Sequence, residues 1–138
     1  MSKNAAVLRR LLLGGAVYFL AVSAAHMLDL KVPMLFVYYS LPSYAYQDKI
    51  ISFLSFGWAV FLFLSAVDPL QNRAAVKAVI TAGLVAVFGL HVINHVTDFK
   101  ALAPDADPSV FRKETFLLGA YETTLIIFYF LTKKRKGD

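Results

Sequence analysis

Four long apolar stretches, separated by short segments that carry most of the charges, are the feature that most constrains this chain. They cover about residues 5–28, 49–67, 76–97 and 115–132. Each has roughly the 17–25 residues that an α-helix needs to cross the bilayer core. Because a lone segment in lipid satisfies its backbone hydrogen bonds only as a helix, the pattern predicts an all-α integral membrane protein. We expect a four-transmembrane-helix bundle forming one membrane domain over residues 1–138.

The composition supports this interpretation and excludes several others. Of the 138 residues, 59% are hydrophobic and 17% are charged, which is more apolar surface than a soluble domain of this size can bury. The chain has no cysteine, which excludes disulfides, thiolate metal sites and thiol chemistry. Its net charge of +5 comes from basic residues at helix ends and at the C-terminus, a pattern typical of membrane topology. We therefore expect the lipid bilayer, and no nucleic acid, as its partner.

The distribution of lysine and arginine predicts the orientation of the helices. Nine of these residues lie near the N-terminus, in or just after the 68–75 connection and in the C-terminal run 133–136, whereas five lie in or just after the segment 29–48 and within 98–114. The positive-inside rule then places both termini in the cytoplasm and the two longer loops outside. The sequence thus predicts a multi-pass membrane protein with cytoplasmic N- and C-termini.

The N-terminal segment also has the features of a secretory signal peptide. Basic residues at Lys3, Arg9 and Arg10 precede an apolar run, which ends in the small residues 21–25. Cleavage there would leave three spans. Because the apolar run is longer than such peptides usually carry, we expect an uncleaved first helix.

The polar residues inside the third stretch follow one helical face. His91, Asn94, His95 and Asp98 are spaced i, i+3, i+4 and i+7, so they share one side of a helix. The same face is wholly apolar toward the cytoplasmic end. The polar stripe therefore ends about halfway through the membrane.

The other three stretches place their polar residues toward the same outer end. His26 lies near the outer end of the first stretch, Ser52 and Ser55 descend the second, and Glu122 lies about seven residues below the outer end of the fourth. The pattern predicts a polar pocket that opens outward. We expect the following ligand-binding residues: His26, Ser52, Ser55, His91, Asn94, His95, Asp98 and Glu122.

Several ligands fit such a pocket. A quinone-like lipophile would suit polar side chains next to an apolar interior. A transition metal would suit His91 and His95, because imidazoles at i and i+4 can bind one ion, with Glu122 or His26 completing the set. Haem would require two histidines on different helices, such as His26 with His91 or His95.

A small membrane enzyme is a further hypothesis. An ionisable side chain inside the membrane should face the bundle interior and have a partner. By depth, we pair Glu122 with His91, which makes them the candidate catalytic residues of an acid–base pair acting on a lipophilic substrate.

The alternative to a site is that the polar residues hold the helices together. Polar side chains hydrogen-bond across membrane helices and contribute about 1 kcal/mol each. On this interpretation the chain is a structural or accessory subunit of a larger membrane complex. Its small size also favours a homodimer.

The two outer loops differ in character. Residues 29–48 are rich in aromatic side chains and should lie in the membrane interface or dip into the outer leaflet, forming a lid if they fold over the pocket. Residues 98–114 are polar, and we expect Pro104 and Pro108 to interrupt helical structure there.

Overall fold

The computed structural model describes residues 2–132, and in this part of the chain all regular structure is helical. Four of the helices are long and apolar enough to cross a membrane. This confirms the predicted all-helical architecture with four long apolar helices. The basic run at residues 133–136 lies outside the described residues. The helices are α1 (Lys3–Met27), α2 (Ala45–Val67), α3 (Arg73–Val96), the short α4 (Phe99–Leu102) and α5 (Pro108–Leu131).

Helix α5 begins seven residues before the predicted fourth span, at Pro108. We expected this proline to interrupt helical structure, and that was wrong. Proline is favoured in the first helical turn because its missing N–H would be unpaired there anyway. The Asp107 side chain caps the helix by accepting a hydrogen bond from the backbone N–H of Ser109 at 2.9 Å. That hydrogen bond lowers the pKa of the Asp107 carboxyl.

The long helices pack as two pairs, α1 with α2 and α3 with α5, and the pairs meet through contacts of α1 with α5 and of α2 with α3. Polar bonds join α1 to α2. The Ser52 hydroxyl donates to the carbonyl oxygen of Ser23 at 2.9 Å. The Lys49 ammonium group donates to the carbonyl oxygen of Met27, at the end of α1, where unpaired carbonyls attract a cation.

The end of the bundle formed by the start of α1 and the end of α5 has an apolar core. Arg73 closes this end by donating to the carbonyl oxygens of Tyr129 and Thr132, both at 3.3 Å. Its guanidinium carbon also lies 4.3 Å from the centre of the Tyr129 ring, a distance at which cation–π attraction operates. The core residues are Leu8, Leu12, Ala16, Leu62, Ala66, Val76, Val79, Ile80 and Leu125.

The other end of the bundle is covered by the α1–α2 connection, residues 28–44, which we call the lid loop. Met34 of this loop has a φ of 68°, a left-handed conformation that is unfavourable for a residue with a side chain. Side chains of the helices bond to both its backbone N–H and its carbonyl oxygen. Its N–H donates to Glu114 Oε1 at 2.7 Å, and its carbonyl oxygen accepts from the Tyr18 hydroxyl. These bonds fix the lid loop to α5 and α1.

Aromatic contacts anchor the lid loop further. The Phe36 ring is buried and stacks on the His26 imidazole, with 3.5 Å between ring centres. Tyr38 packs on Phe99 at 5.5 Å and on Phe111 at 5.1 Å, next to α4. Tyr38 and Tyr39 of the lid loop therefore pack with Phe99 and Phe111 in a second small core, whereas Tyr44 and Tyr46 are exposed.

The contact between α1 and α5 depends on Gly15. The Tyr121 hydroxyl of α5 lies where a Cβ at Gly15 would be. From there it donates to the carbonyl oxygen of Leu11 at 3.0 Å. A side chain at Gly15 would displace the phenol and break this bond.

We predict that Gly15→Ala and Gly14→Ala have opposite consequences. Gly15→Ala should lower the free energy of unfolding by about 1–3 kcal/mol, the usual effect of overpacking. Gly14 has nothing within 4 Å of an added Cβ, so Gly14→Ala should be neutral or slightly stabilising, because alanine favours helix. Denaturation of the purified protein in detergent, followed by circular dichroism, measures both. Equal losses would contradict the packing of Tyr121 on Gly15.

Candidate functional site

A cavity of about 550 Å³ lies between the two helix pairs, beneath the lid loop. Its volume is within the range of about 300–1,000 Å³ that is typical of small-molecule sites. Most of its wall is apolar, and polar side chains border it at two separate places. The apolar lining includes Phe19, Val22, Trp58, Leu62, Val79, Val87, Leu90, Leu118 and Leu125.

The first polar group lies at the lid-loop end. Lys31 Nζ donates to Ser43 Oγ at 3.1 Å, and Ser43 donates to Asp48 Oδ2 at 2.9 Å. The other carboxylate oxygen of Asp48 lies 3.2 Å from His26 Nδ1. All four residues border the cavity, and Asp48 and His26 are buried. This chain of bonds fixes the orientation of the imidazole and leaves Nε2 as the ring nitrogen that Asp48 does not engage.

The second polar group is the carboxyl of Glu122, deeper in the bundle. Glu122 borders the cavity and is only 5% exposed. Its carboxyl packs directly on the backbone of α3 at Gly83, in the space that a Cβ there would occupy. Oε1 is buried and has no hydrogen-bond partner among residues 2–132. A buried carboxyl in an apolar wall is costly unless something bonds to it.

The predicted pairing of Glu122 with His91 is not formed. His91 is exposed on α3, where its ring stacks on that of His95 with 5.8 Å between centres, and neither imidazole borders the cavity. The depth estimate failed because α5 begins earlier than expected. Glu122 lies fourteen residues from the start of α5, so it meets Gly83, eight residues before His91 on α3.

The metal and haem hypotheses lose their geometric basis. Among residues 2–132, no group of three or more His, Cys, Asp or Glu side chains is placed to hold a metal ion. His26 lies beneath Phe36 with Asp48 on its Nδ1, whereas His91 and His95 lie outside the cavity. His91 and His95 therefore do not share the cavity with His26.

Asn94 lies on the predicted face, but its side chain bonds within the protein. Its Nδ2 donates to Thr115 Oγ1 at 2.8 Å, and its Oδ1 accepts from the Tyr38 hydroxyl at 3.1 Å. Burial raises the pKa of Tyr38, which keeps its hydroxyl protonated and able to donate. Asn94 thus joins α3 to α5 and to the lid loop.

The remaining predicted site residues also have local structural roles. Ser52 bonds to Ser23, as described above, and Ser55 is buried on the same face of α2. The Asp98 side chain is the N-cap of α4, accepting from the backbone N–H groups of Lys100 and Ala101 at 3.1 and 3.2 Å. Of the predicted set, only His26 and Glu122 border the cavity.

Several residues that build the site were missed from the sequence. Asp48 carried a signal, because it precedes Ser52 and Ser55 on one face of α2 at i, i+4 and i+7. Gly83 carried none, since a glycine in a helix shows its contact only when the neighbouring helix is in place. The other missed residues are Tyr18, Lys31, Ser43 and Tyr121.

The fold and the cavity indicate a multi-pass helical membrane protein with an internal, largely apolar cavity. No protein-family model, no curated protein and no solved structure matches this chain.

We predict that the buried and exposed polar residues of α3 differ in their importance for stability. Asn94→Leu should lower the free energy of unfolding by about 1–3 kcal/mol, because it removes the hydrogen bonds of buried Asn94 with Thr115 and with the half-buried Tyr38. His91→Leu, at an exposed position, should change it by no more than about 0.5 kcal/mol. Denaturant unfolding of each variant in detergent measures its free energy of unfolding, which is compared with that of the wild-type protein. A larger effect of His91→Leu than of Asn94→Leu would contradict the exposed position of His91 and would indicate that its imidazole has a buried partner.

Proposed function

We propose that this protein is an integral membrane protein whose cavity binds a small lipophilic molecule. The observation that supports this most directly is the Glu122 carboxyl, which borders an apolar cavity and has an oxygen without a hydrogen-bond partner. Ligand sites usually combine an apolar wall with a few polar groups that orient the ligand. A quinone-like molecule belongs to this class, as do long-chain alcohols and amines.

The hydrogen bonds of the polar residues favour binding over a purely structural role. Polar side chains that only join helices should find their hydrogen-bond partners within the protein. Asn94 does so with Thr115, and Ser52 does so with Ser23. Among residues 2–132, two buried carboxyl oxygens have no hydrogen-bond partner, Oε1 of Glu122 and Oε2 of Glu114, and of these two residues only Glu122 borders the cavity. A structural subunit would gain nothing from a buried, unpaired carboxyl next to a cavity, whereas a ligand site would use it.

The surroundings of the cavity indicate how a ligand would enter. The lid loop covers one end, and the apolar core closes the other. Helices α2 and α3 belong to different pairs, and Ile51 of α2 and Ala86 of α3 border the cavity while being exposed. We propose that lipophiles enter from the bilayer between these two helices.

The proposed orientation in the membrane, with both termini in the cytoplasm, can be tested because the chain has no cysteine of its own. A cysteine at Asp105, exposed beside α4, should react with a membrane-impermeant maleimide in intact cells. A cysteine at Gln71, exposed in the α2–α3 connection, should react only after permeabilisation. The reverse pattern would contradict the positive-inside orientation.

Binding can be measured through Trp58, the single tryptophan of the chain, which borders the cavity. We predict that ω-bromododecanol, added to the protein in lipid nanodiscs, quenches Trp58 fluorescence saturably. The bromine quenches only at short range, so Trp58 reports probe molecules inside the cavity. Quenching saturates because a cavity of fixed volume holds a limited number of them. Fluorescence titration against the mole fraction of the probe in lipid gives the curve.

The matched control moves the tryptophan to the lipid-facing surface. In a Trp58→Phe, Phe88→Trp variant, the indole sits at a position that is 69% exposed on α3. Quenching there should rise without saturation, because the probe meets it only by partitioning into lipid. If Trp58 behaves in the same way as the tryptophan at position 88, no cavity binding occurs and the proposal fails.

A further inference from the structure

We infer that the ligand carries a hydrogen-bond donor, a primary amine or a hydroxyl group, on an otherwise apolar body, and that Glu122 receives this donor. The inference rests on the proposed function, because it specifies the chemistry of the molecule in the cavity. It depends on the difference between the two polar groups that border the cavity.

The polar group beneath the lid loop is satisfied within the protein. The Lys31 ammonium and the Ser43 hydroxyl donate in sequence toward Asp48, and the remaining Asp48 oxygen faces His26. Each acidic oxygen there already has a partner. This end of the cavity therefore has no unpaired carboxylate oxygen.

Glu122 lies in different surroundings. Its neighbour along α5, Tyr121, already donates its hydroxyl to the carbonyl oxygen of Leu11. Its contact on α3 is Gly83, which has no side chain. The cavity-lining residues Leu62, Val79 and Leu125 belong to the apolar core and have no donor to offer. Among residues 2–132 no donor reaches Oε1 of Glu122, so we assign this donor to the ligand.

The charges lead to the same conclusion. The ion pairs formed among residues 2–132 join His26 to Asp48 and Lys31 to Asp29, and Glu122 belongs to neither. A buried acidic group is stabilised most when its partner supplies both a hydrogen bond and a compensating charge. A protonated amine supplies both, and a hydroxyl supplies the hydrogen bond alone. A carbonyl or ether oxygen supplies neither to a carboxylate.

The position of Glu122 also orients the ligand. Core residues such as Leu62 and Leu125 border the cavity at its inner end, and the lid loop covers the opposite end. Trp58 and Phe19 stack at 6.0 Å and form part of the wall. The donor group therefore sits at Glu122, and the apolar body extends along these rings.

Competition with ω-bromododecanol tests the inference on the wild-type protein in nanodiscs. The competitors are dodecylamine, dodecanol, dodecyl methyl ether and dodecane, which share one chain length and differ at one end. Dodecylamine and dodecanol should relieve the quenching of Trp58 at roughly tenfold lower mole fractions than the ether, because a site built around a hydrogen bond rejects an analogue that lacks it. Equal potency of the ether and the alcohol would overturn the inference.

Two substitutions assign the effect to the carboxyl. Glu122→Gln keeps an acceptor but removes the acidic group, so dodecylamine should lose about tenfold in potency while dodecanol changes by less than about threefold. Glu122→Leu removes the acceptor, and the preference for dodecanol over its methyl ether should then vanish. If either variant keeps the wild-type order of amine, alcohol and ether, Glu122 does not receive the donor.

Glycine variants of α3 provide a further check with the carboxyl intact. An added Cβ at Gly83 would overlap the Glu122 carboxyl, whereas Gly89 has nothing within 4 Å. Gly83→Ala should reduce the preference for donor-bearing competitors several-fold, and Gly89→Ala should leave it unchanged. Circular dichroism of each variant shows whether the bundle is folded. The same loss in both variants would contradict the role of the Glu122–Gly83 contact.

The outcomes separate this inference from the proposed function. If Trp58 shows no saturable quenching by ω-bromododecanol, both fail. If quenching saturates and all four competitors act equally, the cavity binds lipophiles but Glu122 does not select a donor, so only this inference fails.

Discussion

The contact of two neighbouring residues of α5 with glycines of two other helices is the interaction on which the rest of the structure depends. Tyr121 places its hydroxyl on Gly15 of α1, and Glu122 places its carboxyl on Gly83 of α3. Both contacts require that the opposing helix have no side chain at that point. Together they fix α5 against α1 and α3, and therefore set the wall of the cavity. The two polar groups differ in one respect, because the tyrosine finds an acceptor at Leu11 and Oε1 of the glutamate finds no partner.

That difference explains why the cavity is a better candidate for function than the polar residues as a set. Membrane helices commonly hold together through hydrogen bonds between polar side chains, and such bonds are complete in themselves. In the cavity wall beneath the lid loop, Asp48 follows that rule and is bonded to both Ser43 and His26. Glu114, which binds the lid loop outside the cavity, leaves its Oε2 without a partner. The inner end of the cavity departs from the rule at Glu122. A buried polar group without a partner calls for an explanation, and a ligand that enters from the bilayer provides one.

The sequence predicted the parts of the fold that hydrophobic length controls. Four long apolar helices and the buried position of Glu122 followed from the apolar stretches and from the cost of an acidic group in lipid. The start of α5 was missed because Pro108 was taken as an interruption rather than a first-turn residue. That shift of seven residues also produced the wrong partner for Glu122, His91 instead of Gly83. Glycine contacts depend on how helices pack, and a single sequence carries no pattern that reveals them.

We propose that a lipophilic molecule occupies the cavity next to Glu122. The most direct measurement is photolabelling of the protein in nanodiscs with a long-chain alcohol that carries a diazirine, followed by mass spectrometry of the labelled peptides. The account predicts labels at cavity-lining positions of α2 and α3, such as Trp58 and Val87, which disappear when unlabelled alcohol is added in excess. Labels confined to lipid-facing side chains such as Phe88, unchanged by the competitor, would contradict it.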